Sequence, residues 1–401
     1  MRITFLGDIM CEPPVLAGAR QPDGSYNFDY VFARSQTLLD EADYLVGNLE
    51  TPLAGEEVGY SATYLAFNAP DAYADAIKKA GFNLISTSNN HTFDRGYAGM
   101  ERTLQVLDGR NIPHHGSFLP GALRPEAHYA TLGDTTIAVI AYTYGTNFGG
   151  SGGKYAAEGD YAGTVNLLRP QNVSSYLPGV PTGNTKFDRL TKKYLSAKVR
   201  GKIKRAFGFD SNPPRADDKL LEEETAPYVA QFQADIRKAK KQADIVLFYP
   251  HMGGQFSHKV GAFTQYISQK ALEAGADAVI ASHSHVVQKL CWQDGVLCAY
   301  SLGNYNMTPD SGVAVIENRT GYGLALHLEI AEKQLKGASF SIIANIHDGK
   351  GISGCPVDVL HKTLSPAKAK KLEADVRYVL EVVTGQVPKG EIIRRYYPIN
   401  P

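Results

Sequence analysis

Short wholly apolar runs, each closed by a polar cluster, alternate along this chain with stretches in which apolar side chains return at helical spacing. That alternation marks buried strands joined by amphipathic helices. Residues 3–6, 44–46, 82–86, 245–249 and 278–281 read as strands, and 28–42, 72–80, 97–108, 227–242 and 262–274 as helices. Asp71 stands where an N-cap belongs and Gly81 where a helix should stop, so 72–80 delivers the chain straight into 82–86. Gly133-Asp134 and Asp294-Gly295 are each flanked by apolar runs and predict hairpins, which makes the sheet system mixed.

The pattern lapses over 148–226. Glycines gather at Gly149, Gly150, Gly152 and Gly153, apolar periodicity fades, and a basic run occupies 186–205. This stretch reads as an insertion, and the basic run as a solvated helix face plus loop rather than a polymer-binding patch. A charged amphipathic segment at 365–383 predicts a last helix. The expected organisation is one domain over 1–345, interrupted at 148–226, with a C-terminal helical extension over 346–401 packed on it.

Composition narrows the function classes. The 401 residues carry 41 basic and 41 acidic side chains, a formal charge of zero, which removes any global electrostatic case for nucleic acid or an anionic membrane. At 43% hydrophobic residues a full core is expected. Cys11, Cys291, Cys298 and Cys355 form no CxxC pair, which points to a reducing compartment and away from a thiolate metal site. The first strand runs into Gly7-Asp8 before an apolar stretch of signal-peptide length can accumulate, and no apolar run approaches the roughly 18 residues of a membrane helix. The expectation is a cytoplasmic protein without membrane insertion.

Five polar clusters carry the chemistry: Gly7-Asp8, Asn48-Leu49-Glu50, Asn89-Asn90-His91 with Asp94, His251-Met252-Gly253, and His283-Ser284-His285. Each follows a predicted strand, at the carboxyl edge where loops of α/β sheets converge on ligands. Singly, an aspartate there is often a helix cap and a histidine a packed ring. Five in series point to a shared site whose carboxylate, amide and imidazole donors suit one or two divalent ions such as zinc, manganese or iron.

With Tyr300-Ser301-Leu302-Gly303-Asn304 added, these motifs resemble the CapA family, named for poly-gamma-glutamate capsule synthesis proteins and related to the calcineurin-like metallophosphoesterases; the resemblance runs to about residue 342. It implies an α/β fold of two mixed β-sheets packed face to face with helices on both outer sides. It further implies that Asp8 and His285 hold one ion, that Asn90, His251 and His283 hold a second, and that Glu50 bridges them. His91 would donate a proton to the leaving group, with Asp94 setting its tautomer. Arg319, Tyr144, Asn147 and His115 are candidate substrate contacts, Arg319 because its planar fork suits an anion.

Two departures stand out. Met10 occupies the position of the histidine in the phosphoesterase Asp-x-His motif and reads as core packing, and Gln255 stands where many relatives carry glutamate. Cys11 reads as a small buried hydrophobe, and Ser301 and Asn304 as turn residues. The expected function is metal-dependent hydrolysis of a phosphoester or amide-type bond in a small anionic, glutamyl or phosphoester substrate. The alternative is a non-catalytic component of poly-gamma-glutamate biosynthesis that binds an anionic polymer.

Overall fold

The structure, a computed structural model, describes residues 1–147, 163–170, 222–309 and 319–400, with isolated positions between 190 and 220. Its strands in chain order are β1 (Arg2–Ile9), β2 (Tyr44–Leu49), β3 (Leu84–Ser86), β4 (His114–His115), β5 (His128–Leu132), β6 (Thr135–Thr143), β7 (Ile245–Met252), β8 (Ala278–Ile280), β9 (Ser282–His283), β10 (Leu290–Gln293), β11 (Val296–Ala299), β12 (Tyr322–Ala331), β13 (Gln334–His347), β14 (Ile352–Pro356) and β15 (Tyr397–Ile399). One sheet runs β14-β13-β12-β1-β2-β3-β4 with β15 on β13, and the other β10-β11-β8-β7-β6-β5 with β9 on β7. Both are mixed: β1, β2, β3 and β4 pair in parallel while β12 runs against β1 and β13 against β12, and β6, β7, β8 and β11 pair in parallel inside two antiparallel hairpins.

Alternation of side chains along the strands explains why the sheets stack. Ile3, Phe5, Tyr44, Val46 and Leu326 of the first sheet pack against Ile137, Val139, Ile245, Leu247 and Ile280 of the second in one buried core. The opposite faces are buried too. Leu45, Leu49 and Ile85 meet Val15 of α1 (Pro13–Ala19), Phe32 of α2 (Asp29–Ala33), Leu38 of α3 (Gln36–Leu39), Tyr73 and Ile77 of α4 (Ala72–Lys79) and Leu107 of α5 (Gly96–Gly109). On the other sheet Ile140, Val246 and Phe248 meet Phe232 and Ile236 of α6 (Glu222–Ala239) and Phe263 and Ile267 of α7 (Ala262–Ala274). Strands covered on both faces need apolar residues at every position, hence the unbroken runs in the sequence. The expected fold class, two mixed sheets face to face with helices outside, is the observed one.

Both hairpins form, and at Asp294-Gly295 both central residues have positive φ, 50° and 79°, as the two-residue turn requires. Two expectations give way. The helix over 28–42 is broken into α2 and α3 at Ser35, whose buried hydroxyl donates to the Gly354 carbonyl of β14 at 2.9 Å, a partner no local pattern could reveal. The division at residue 345 falls inside β13, and the C-terminal segment is not simply helical. It supplies β14, β15, α8 (Val357–His361) and α9 (Pro366–Thr384), whose Leu372, Val376, Val379 and Val383 enter the inter-sheet core. Most of the insertion, and most of the basic run at 186–205, lies outside the described residues. The tract 163–170 is bound to the body through Thr143 N–H to Asn166 O (2.9 Å) and Leu168 N–H to Thr143 O (2.8 Å). Among the described residues no helix is long and apolar enough to cross a membrane.

Candidate metal centre

The carboxyl ends of β1, β2, β7 and β9 meet at one rim, and local backbone devices aim their side chains. The β1–β2 register shifts between Phe5 and Asp8, a bulge of the kind that redirects a side chain beside a site. Gly7 permits it, since a Cβ there would sit 2.4 Å from the Gly303 carbonyl oxygen, to which the Asp8 N–H donates at 2.9 Å. Replacing Gly7 by alanine should therefore push β1 off Gly303, lower stability by about 1–3 kcal/mol in urea unfolding and weaken metal uptake. Unchanged values for both would show that the strand absorbs the methyl. His283 and His285 both have positive φ, 98° and 52°, a costly conformation for histidine that the packing around them maintains.

Glu50, one residue past β2, lies at the middle of the cluster. Its Oε1 is 3.5 Å from His251 Nε2, 3.6 Å from His285 Nε2 and 3.8 Å from His91 Nε2. Around it the potential ligand atoms fall into two groups, Asp8–Glu50–His285 and Glu50–His251–His283, each mutually within 4.8 Å. Asn90 Oδ1 joins the second group, 2.7 Å from His251 Nε2, which is itself 3.1 Å from His283 Nδ1. Every member is buried. Asp8 is satisfied by the Asn48 amide (2.8 Å) and the His283 N–H (3.1 Å), but neither Glu50 oxygen has a hydrogen-bond partner.

An enclosed, unpartnered carboxylate is expensive. Burial first, and the Asp8 charge second, hold the Glu50 carboxyl well above its usual range. Burial pushes His251 down to about 4 and, with the neighbouring imidazoles, His283 well below its ordinary value. Neutral imidazoles are the ligating form, and a cation is what would return Glu50 to its carboxylate, so the donor set fits divalent metal.

His91 stands at the edge. Its Nδ1 is 2.5 Å from Asp94 Oδ2, which also accepts the Phe67 N–H at 2.6 Å, and its ring lies against Phe67. Burial alone would lower its pKa, but Asp94 and then Glu50 reverse this and hold it above the ordinary value. Asn147 reaches the same pair: its Nδ2 is 3.2 Å from His91 Nδ1, its Oδ1 accepts from Asn90 at 3.1 Å, and its N–H donates to Asn90 O at 2.7 Å. Tyr144 lays its ring 4.5 Å from that of His283.

Two candidates are not brought to the centre. His115 is buried where β4 ends, its Nδ1 accepting the Ala141 N–H at 3.2 Å, and desolvation pushes it down to about 3. Arg319 is held by Asp375 of α9 at 2.7 Å and lies over Tyr378, which occupies its guanidinium with structure. Met10 packs with Phe67 and Met307, in keeping with core filling, and Gln255 is exposed.

Four amides and hydroxyls gain roles that the sequence did not assign. Asn48 links Asp8 to His251; Asn89 Nδ2 donates to the Leu49 carbonyl (2.8 Å) and to Asn48 Oδ1 (3.1 Å); and Ser282 Oγ lies 3.0 Å from His251 Nδ1. Asn304 clasps His285, with Oδ1 2.8 Å from its Nδ1 and Nδ2 donating to its carbonyl at 2.7 Å. Such partners orient ligands. Asn48, Asn89 and Asn304 stood inside the motifs, and that adjacency was their signal. Arg169, stacked on Tyr144, had none, because it lies in the stretch without periodicity.

A family model described as bacterial capsule synthesis protein PGA_cap matches residues 2–308. The chain belongs to this family. The match spans every member of the cluster, from Asp8 through Asn304, and stops short of Arg319. Among curated relatives the chain is similar to the capsule biosynthesis protein CapA of Bacillus anthracis, at 24% identity over 76% of this chain and 59% of that protein. It is also similar to the PGA biosynthesis protein CapA of Bacillus subtilis, at 23% identity over 75% of this chain and 62% of that one. The match thus spans about three fifths of these relatives' length. A crystal structure of a novel phosphatase from Mycoplasma pneumoniae is similar at 12% identity with a TM-score of 0.39, covering 89% of this chain and 93% of that one.

Proposed function

We propose that this chain is a hydrolase dependent on one or two divalent ions, of manganese, zinc or iron, that cleaves a phosphoester or amide-type bond in an anionic or glutamyl substrate of capsule or poly-gamma-glutamate biosynthesis. The observation that carries this reading is Glu50: wholly buried, unpartnered at both oxygens, and common to two groups of ligand atoms. Asp8, Glu50 and His285 would hold one ion, and Glu50, His251, His283 and the Asn90 amide oxygen the other. When bound, such ions polarise a phosphoryl or carbonyl oxygen and make a nearby water a better nucleophile.

The chain's own groups do the rest. Asp94 ties His91 through Nδ1, which leaves Nε2 facing the Glu50 side with the proton that a leaving oxygen or nitrogen takes up. Asn147 Nδ2 donates to the other Asp94 oxygen, Oδ1, at 3.4 Å, which steadies this pair, and Phe67 lies against the ring. The capsule and poly-gamma-glutamate connection comes from family membership and from the names of the Bacillus relatives.

Elemental analysis of protein purified in manganese or zinc should find about two equivalents. Chelation should abolish turnover of a panel of phosphodiesters and gamma-glutamyl peptides, and added metal should restore it. Folded, metal-replete protein that turns over no member of the panel would end the hydrolase reading, and saturable polyglutamate binding without cleavage would put the polymer-binding alternative in its place.

A further inference from the structure

Arg169 is a buried cation, 4% exposed, in the tract that pairs with the end of β6. Its guanidinium carbon lies 4.8 Å from the Tyr144 ring centroid and 5.2 Å from that of Phe263, and the Tyr144 ring is 4.5 Å from that of His283. Its hydrogen bond runs from Nε to the Tyr144 carbonyl at 3.0 Å. Among the described residues no carboxylate lies within ion-pair distance of it. Asp217, whose charge it senses, is already engaged by the Gly261 N–H (2.8 Å), the Thr264 N–H (3.0 Å) and the Thr264 hydroxyl (2.7 Å).

A guanidinium removed from water without a carboxylate is costly, and two flanking rings recover only part of that cost. The arrangement does have one effect: Nε is pinned and the plane is set by Tyr144 and Phe263, so the terminal Nη edge is presented in a fixed orientation. That edge is the part of arginine that matches two oxygens of a carboxylate or phosphate. Arg319, the arginine whose sequence position suggested this task, is spoken for by Asp375.

We propose that Arg169 is the oxyanion-binding residue of a subsite adjoining His283, gripping a carboxylate or phosphate group of the substrate through its Nη edge. The proposal rests on the reading of the neighbouring cluster as a metal centre for anionic substrates. Holding the anion there would place the rest of the substrate against Tyr144 and the ions, which makes Arg169 a specificity-determining residue.

The test is calorimetric titration of the manganese-loaded full chain with inorganic phosphate and, separately, with glutarate. At least one should bind saturably, and the tighter of the two names the source of the oxyanion. R169M should weaken that binding about fivefold or more while metal content is kept and the ligand-free melting temperature stays level or rises, since a buried charge has been removed. R169K, which keeps the charge but loses the fork, should also bind more weakly than the parent. Failure of both anions to bind, or variants that bind them within fivefold of the parent, overturns the proposal; should R169M lose metal or fold, R169K alone decides. Turnover is not among the readouts. Arg169-dependent anion binding without hydrolysis would remove the hydrolase reading and leave this one, whereas hydrolysis with unaltered anion binding in both variants would do the reverse.

Discussion

Glu50→Gln should empty the centre of metal and, at the same time, leave the metal-free protein more stable than its parent. Glu50 is shared by both ligand groups, so its loss costs each a donor, and the expected content falls from about two equivalents to below one. The stability gain follows from burial. The parent encloses a carboxyl with neither oxygen hydrogen-bonded, beside Asp8, whereas an amide carries no charge, and its NH2 can turn toward His285 Nε2, the acceptor nitrogen of a ring whose Nδ1 faces the Asn304 amide oxygen.

The pH dependence has a definite sign. The folded-state pKa of Glu50 lies above its unfolded value, so the folded chain keeps a proton that the unfolded chain has released. Its contribution to stability is therefore lost as pH climbs from the ordinary carboxyl range, near ~4.3, toward the raised folded value. His251 and His283, with lowered pKa values, push the other way below their unfolded value. They are common to parent and variant, so the difference between the two reports Glu50 together with its pairing to His91. Urea midpoints of chelator-treated proteins at pH 5 and pH 8 should diverge at pH 8 in favour of the variant, by about 1–3 kcal/mol. A metal-free variant less stable than the parent at pH 8, or one that retains both ions, would mean that Glu50 is an ordinary buried residue.

His91→Asn is the second large effect, and it falls on chemistry alone. The imidazole is 3.8 Å from Glu50 at the edge of the cluster and belongs to neither ligand group, so metal content should be unchanged. Turnover of a substrate with an alkoxide or amine leaving group should fall by about 10²–10⁴. With p-nitrophenolate, which departs without a proton, the loss should be under about tenfold. Asp94→Asn should follow the same leaving-group pattern, since the carboxylate acts through His91 Nδ1 at 2.5 Å. Equal losses on both kinds of substrate would assign His91 to positioning or to metal rather than to proton transfer.

The centre was legible where one residue type sits immediately after one apolar run. Asp8, Glu50, Asn90, His251, His283 and His285 each lie at the end of a strand or within four residues of it, and strands of neighbouring register end at one rim, so convergence could be expected before any distance was known. Tyr144 and Asn147 lie on the same rim and also meet the cluster. His115 closes a strand as well, yet it ends β4 at the sheet's far side, and strand order is not written in any local window. Arg319 looked available because its partner, Asp375, is 56 residues away on a helix that the pattern treated as an appendage. Arg169 carried no signal, because its placement depends on isolated bridges, Thr143 with Leu167 and Ser117 with Val165, between segments far apart in sequence.

The strand-helix alternation over 1–143 and 227–299, the kinds of ligand atom and the edge they share were thus legible in the sequence alone, whereas β12 to β15 were not, since periodicity of 2 or 3.6 residues and the residue at a strand's end are properties of a few neighbouring positions. Tertiary structure decided that the oxygens of Glu50, the carboxylate already expected between the two groups, are left without hydrogen-bond partners, and which arginine is held by an aspartate and which is not. Those are distances between side chains far apart in the chain, from 56 residues for Arg319 and Asp375 to about 200 for Glu50 and His251. They are set by how two twisted sheets stack and by the bulge at Gly7, which no stretch of chain specifies by itself.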